Sequence, residues 1–505
     1  MVLRNYLSSL FFGSGKWGMS SCDVNFTGRL FKRLTRSVGF CFLAGCVISP
    51  AYATLNVQVA EVGKIFLSAD GAGTNSSAGV SIQVDKPNQS ATVRNAFFTC
   101  ASTWGGSISD GSVQLDGVPI NWDDTVPNGS FTNVFADVTD VVSPKVDAAS
   151  AGLIDFLQTE STTTNVDGCG LYVIFDDPEQ EKDNTVFILF GGQATTGDSF
   201  AIGLAEPLGT EDSAEFGLAI SFSAQDQSGE GGSNLCGTQS AMFSFVDVNG
   251  QRLTSCAGNL DDGVGTVANG LLITVGGIGD DPANPVDPFQ QAADGSLPRI
   301  VDDELYDLTS FLGETDLSVV VDTLNPSNDD NIFAGHFLIT TPAIIGEGIV
   351  LSPLSSTNPV GTSHTVTATV QDDNGNPLVG VEVVIEVIAG PNTGVNVTDL
   401  SDDNGLVVLS YTGDTIGIDQ IQASFTDSGG QLQVSNVVTK EWVMARCDVD
   451  ANGQVDINDI NAIMAQRNMP ATGPDDPADN DGNGIIDAND ARQCVLQCTN
   501  QACAI

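Results

Sequence analysis

Basic residues are scarce in this chain. Its 505 residues hold 17 Lys+Arg against 64 Asp+Glu, a formal net charge of −47. So acidic a surface repels nucleic acids and anionic membranes, whose binders need Lys and Arg to displace counterions. It suits divalent cations and a salty exterior instead. Only two histidines occur, His336 and His364. A zinc site built on imidazoles, or a Ser-His-Asp triad, has almost nothing to draw on. Met (6) and Trp (4) are few as well. Charged residues are only 16 % of the chain and hydrophobic ones 41 %, which excludes a disordered acidic tail. What is plentiful is Gly (55) and Phe (25), a mix for short strands and many turns. At roughly 100–200 residues per domain, the length predicts about three domains.

The first 53 residues read as a leader. Arg29, Lys32, Arg33 and Arg36 precede an apolar run from Val38 to Ile48, and Pro50-Ala51-Tyr52-Ala53 offers a small-x-small cleavage site. This is the pattern of a secretory signal, with a mature chain from Thr54. The run is shorter than the roughly 20 residues of a membrane-spanning helix. Leu43-Ala44-Gly45-Cys46 also resembles the lipobox of bacterial lipoproteins, which implies acylation of Cys46 as the alternative. Either route exports the protein to the cell surface or the medium.

Cysteine usage agrees with export. Cys22, Cys41 and Cys46 lie in the leader; the rest form two groups of four, Cys100, Cys169, Cys236 and Cys256, then Cys447, Cys494, Cys498 and Cys503. Even-numbered groups in an oxidising compartment read as disulfides, and four Cys allow three connectivities. The short separation of Cys236 and Cys256 suggests a pinned hairpin, which leaves Cys100 to Cys169 as the second bridge.

The chain from Thr54 divides into three blocks. Residues 54–341 carry strand-length runs, among them Ser81–Val84, Leu171–Phe175, Val186–Phe190, Gly217–Phe222, Leu317–Val321 and Phe337–Thr340, separated by Gly, Asn, Asp and Pro. They predict a β-sandwich or a pair of them, with short helices at 148–159 and 305–312. Residues 342–443 alternate Thr and Val with a turn signal about every ten residues, which predicts an Ig-like sandwich. The run Val370-Gln-Asp-Asp-Asn-Gly-Asn-Pro-Leu-Val-Gly-Val-Glu-Val383, and Asp402-Asp-Asn-Gly405 before an apolar strand, resemble the bacterial Ig-like group 1 domains of invasin- and intimin-type surface proteins. That resemblance implies a stiff spacer without catalytic residues. The fold class expected is mostly β, ending in a small α-helical module at 446–505.

That module carries two matching segments, Asp448-Val-Asp450-Ala-Asn452-Gly453-Gln454-Val455-Asp456-Ile457-Asn458-Asp459 and Asp479-Asn-Asp481-Gly-Asn483-Gly484-Ile485-Ile486-Asp487-Ala488-Asn489-Asp490. Oxygen-bearing side chains fall at positions 1, 3, 5, 9 and 12 and Gly at position 6, the requirement of an EF-hand-type loop, with position 7 (Gln454, Ile485) giving a backbone carbonyl. Two Ca²⁺ ions are the expected cofactor, coupling ion binding to folding. Val455 and Ile486 at position 8 are expected to pair the loops. The duplicated loop-helix, ending each loop in Asp, resembles the type I dockerin. The resemblance implies ligands at positions 1, 3, 5 and 12, a cohesin-like extracellular partner, and partner contact through positions 10 and 11: Ile457, Asn458, Ala488 and Asn489. These are not the Ser/Thr pairs of many cellulosomal dockerins.

The role of residues 54–341 is less legible. Asp176-Asp177, Asp302-Asp303 and Asp329-Asp330 are candidate glycosidase pairs, but so acidic a chain yields such pairs by chance. His336 is a candidate base, with a structural role the commoner outcome. Trp104 and Trp122 are a candidate sugar platform. The run Gly170–Pro178 is distantly similar to β-rich front domains of bacterial surface proteins. The leading expectation is an exported, non-catalytic protein for adhesion or extracellular complex assembly. The alternative is a polysaccharide-acting enzyme or carbohydrate-binding protein with its site in residues 54–341.

Overall fold

The computed structural model describes residues 54–73, 79–161, 165–222, 244–258, 262, 273–289, 304–326, 330–450, 452, 454–473, 476–499 and 503. The leader with its cleavage and lipidation readings, and Cys236, Asp302, Asp303, Asp329 and Gly453, lie outside the described residues. Among the described residues the chain is mostly β, in antiparallel sheets, with three short α-helices. None of these helices is long and apolar enough to cross a membrane.

The first block is a stack of four antiparallel sheets. A first outer sheet is formed by Val80–Lys86, Gly152–Glu160, Val113–Leu115 and Val118–Pro119. Behind it, a first inner sheet orders Ile65–Ala72, Val166–Asp176, Thr92–Ser102, Phe131–Asp137 and Asp124–Asn128. The second inner sheet runs Leu55–Gly63, Asn184–Gly191, Asn331–Ile339, Ala214–Ser221 and Ile273–Val275, with Leu305–Asp307 also on Ala214–Ser221. The second outer sheet runs Gln251–Ala257, Ser244–Val248, Ser318–Leu324, Asp198–Leu204 and Ala343–Ile345.

Three apolar layers fill the three gaps. Phe98, Phe156 and Phe175 belong to the first, Tyr172, Ile188 and Phe333 to the middle one, and Phe187, Phe216 and Phe337 to the third. The sequence periodicity records each sheet's place. The central strands of the inner sheets are covered on both faces, so Val166–Asp176 and Asn184–Gly191 are buried almost throughout. Outer strands alternate instead: Gly152–Glu160 between buried and largely exposed positions, Ser318–Leu324 between buried and half-buried ones. The middle gap is also joined by polar groups. Asn133 and Asn331, both fully buried, exchange amide hydrogen bonds of 3.1 and 2.8 Å across it, and Asn331 donates further to Ser221. The Cys100–Cys169 disulfide joins two neighbouring strands of the first inner sheet.

Two helix expectations fail here. Residues 152–160 form an outer strand whose inward positions are Ile154, Phe156, Gln158 and Glu160; alternation with period two won over the short polar-apolar mixture. The helix, α1 (Thr139–Ala148), lies just before it and contains Pro144, the residue that argues against a helix. Its C-terminal end is secured from far away. Lys86, fully buried, donates to the carbonyls of Val146, Asp147 and Ala149 at 3.2, 3.3 and 3.1 Å. Residues 305–312 hold a three-residue strand and one 3₁₀ turn at Thr309–Phe311 instead of a helix.

Ala343–Ile345 sits on the second outer sheet, and the first strand of the next block is Gly348–Ser352. That block packs a three-stranded sheet (Gly348–Ser352, Ser363–Gln371, Leu406–Thr412) on a six-stranded one. The latter orders Ser355–Pro359, Val438–Val443, Gly417–Thr426, Glu382–Ala389 and Asn396–Leu400, with Leu432–Val434 on Gly417–Thr426. Ser355–Pro359 and Val438–Val443 are parallel. Trp442 is fully buried in the shared core.

Candidate metal centre

The C-terminal unit is built twice on one plan. Each acidic loop leads into a short helix, α2 (Ile457–Ala465) or α3 (Ala488–Val495). Asp456 and Asp487 are the N-caps, and Asp459 and Asp490 reach back from the third helical position to complete capping boxes. The loop spacing 9-to-12 is thus also the capping-box spacing, so these carboxylates organise the helix starts whatever else they hold.

Each loop gathers three carboxylates. One oxygen each of Asp448, Asp450 and Asp459 lies within 4.8 Å of the others, and the same holds for Asp479, Asp481 and Asp490. Asp448, Asp459, Asp479 and Asp490 are buried, while Asp450 and Asp481 are exposed. Backbone donors aim these groups inward. Asp459 Oδ1 accepts from Val449 N and Asp450 N, and Asp479 Oδ2 accepts from Gly484 N at 2.8 Å. Asn452 and Asn483 accept from Gln454 N and Ile485 N, folding positions 5 to 7 into side-chain turns. Gly484 has φ +86°, which only glycine adopts cheaply. Among the described residues no lysine or arginine pairs with Asp479, Asp481 or Asp490. Arg446 instead donates to the backbone carbonyls of Asp479 and Asn480.

The donor set fits a hard divalent cation: all oxygen, mostly anionic, and partly desolvated. Asp456 and Asp487 fall outside both three-carboxylate groups and serve as N-caps. Val455 and Ile486 meet in one small core, the apolar part of the expected contact, but among the described residues no backbone hydrogen bond joins them directly. Asn468 N donates to Ile486 O at 2.7 Å, and Thr499 N donates to Val455 O at 3.0 Å. Each loop is therefore tied to the segment that follows the other loop's helix, because the two units pack in a symmetric exchange. Disulfides Cys447–Cys494 and Cys498–Cys503 close the unit. Ile457, Asn458, Ala488 and Asn489 are all exposed at the helix starts. Asn489 also donates to Asp481 Oδ2 at 2.8 Å, a contact within its own loop.

The candidates in the first block are occupied by structural contacts. Asp176 pairs with Arg94, and Asp177 accepts from Asn88, Glu179 N and Gln180 in a turn. His336 is buried against Tyr172, ring centroids 5.7 Å apart, and burial alone pushes its imidazole down to about 4. Trp122 stacks on Phe98 on one face of the first inner sheet. Trp104 is exposed beside Phe131 and Phe222. Among the described residues the two indoles pack on different aromatic partners. Sequence reading missed Glu160, buried beside Gln158. Burial pushes its carboxyl up to about 8, Asp167 adds to the rise, and the Gln158 hydrogen bond opposes it. Its signal was phase: Gln158 and Glu160 alternate in step with Ile154 and Phe156. Cys256 is disulfide-bonded.

No protein-family model and no curated protein sequence matches this chain. Among solved structures it has a likeness to the crystal structure of BcpA, the major pilin subunit of Bacillus cereus, at 10% identity, covering 74% of this chain and 95% of that one with a TM-score of 0.09. A TM-score that low carries no argument about shared architecture.

Proposed function

We propose that this chain is an exported, extracellular, non-catalytic protein whose C-terminal unit binds two Ca²⁺ ions and docks onto a partner protein. The first block is its recognition part and the Ig-like block its spacer. The observation that supports the calcium reading most is the doubled carboxylate group, three oxygens within 4.8 Å in each loop. Asp448, Asp450, Asn452 and Asp459 with the Gln454 carbonyl would hold one ion, and Asp479, Asp481, Asn483 and Asp490 with the Ile485 carbonyl the other. The ion supplies the positive charge that lets buried carboxylates stand together. The protein's own part is to orient them through the backbone donors and capping boxes.

Docking is supported by the unit's surface. Ile457, Met464, Met469, Ile485, Val495 and Leu496 are all exposed, Leu496 by 86%. Their number on so small a unit supports a reading in which part of this surface is covered by a partner. A cohesin-like domain is the partner class, from the dockerin resemblance. The test is binding of the immobilised full chain to a panel of purified cohesin domains, with calcium and with chelator. Binding that appears with calcium and disappears with chelator supports the reading. No binding with calcium, or binding indifferent to chelator, contradicts it.

A further inference from the structure

Lys440 occupies an unusual place for a lysine. Val438–Val443 turns Val438, Lys440 and Trp442 into the core, and Lys440 is fully buried there. Its Nζ lies 2.7 Å from Asn358 Oδ1, 3.1 Å from the Glu441 carbonyl and 4.5 Å from the centre of the Trp442 ring. Among the described residues no carboxylate forms an ion pair with it. Burying an ammonium is costly and favours the neutral amine, while the nearby Glu441 and Asp419 carboxylates act the other way. Burial indeed holds the Lys440 amine below the usual lysine range.

Asn358 comes from the parallel neighbouring strand, where it stands opposite Trp442. With a carbonyl bond of about 1.23 Å, a nitrogen so close to Oδ1 lies within about 4 Å of Asn358 Cγ, close to the ~3–3.5 Å of a reactive contact. Asp419, directly across the strand ladder from Lys440, is a positioning residue. It accepts from Trp442 Nε1 at 2.7 Å, from Tyr411 Oη at 3.0 Å and from Asn392, and so fixes the indole that confines Nζ.

We propose that Lys440 and Asn358 are the site of an intramolecular amide cross-link. The Nζ lone pair attacks Asn358 Cγ, the Nζ–Cγ bond forms, the Cγ–Nδ2 bond breaks, and the amide nitrogen leaves as ammonia carrying the protons that Nζ sheds. No oxidant, reductant or further reagent is needed. The bond joins the first and last strands of the six-stranded sheet, whose residues are 82 apart in sequence. Tension entering through the C-terminal unit then crosses the Ig-like block through a covalent bond instead of through strand hydrogen bonds.

The test is mass spectrometry of the purified, fully reduced full chain and of its proteolytic peptides. The expected result is a chain lighter by one ammonia, with Asn358 and Lys440 recovered in one branched peptide. Asn358→Ala and Lys440→Arg chains should each show their full calculated mass. A wild-type chain at full mass, or Asn358 and Lys440 recovered in separate linear peptides, overturns the proposal. The wild-type measurement decides even if the variants fold poorly.

Discussion

Glu160 allows a sharp test of the stacked-sheet architecture. Its carboxyl faces inward from the first outer sheet, 3% exposed, and is held at about 8 against 4.5 for an ordinary glutamate. The folded state therefore binds its proton more tightly than the unfolded chain does. The benefit is fully present below about pH 4.5 and is lost progressively as pH rises to about 8. At 1.36 kcal/mol per pKa unit, the full span is worth about 4–5 kcal/mol. Glu160→Gln keeps the shape and removes the titration. Thermal unfolding of both full chains, disulfides intact, should give equal melting temperatures near pH 4. The variant should gain steadily on the wild type between pH 5 and pH 8. Parallel curves across that range would show that Glu160 is solvated or paired in solution, and the reasoning from burial would fail.

Two further substitutions probe the packing. A Cβ built on Gly217 would lie 2.1 Å from Cε1 of buried His336, so Gly217→Ala should destabilise by about 1–3 kcal/mol or more; denaturant unfolding should show most of that loss relieved by adding His336→Ala, and additive effects would refute the clash. Lys86→Met leaves three carbonyls at the end of α1 without their donor and should cost about 1–3 kcal/mol in the same assay; an unchanged midpoint would show that the lysine is not the clasp.

How much of this was legible depended on how local each signal is. The clustering of the loop carboxylates was readable because one turn of chain fixes their spacing, and Asp456-x-x-Asp459 and Asp487-x-x-Asp490 encode the helix starts in the same letters. The inner strands were readable as apolar runs. Their stacking was not, because nothing in Val186–Phe190 says which sheets cover its two faces. α1 was hidden because Pro144 weakens it locally, while the residue that secures its end, Lys86, lies 60 residues away from Val146. The exchange between loops was missed for the same reason: Thr499 and Asn468 lie beyond the helices, and only packing brings them to Val455 and Ile486.

The central claim is that the two loops are calcium sites. Isothermal calorimetry on the chelator-stripped full chain measures this directly. The account predicts two calcium ions per chain, one lost in Asp448→Ala and the other in Asp479→Ala. Absence of calcium uptake, or uptake unchanged in both variants, would contradict it.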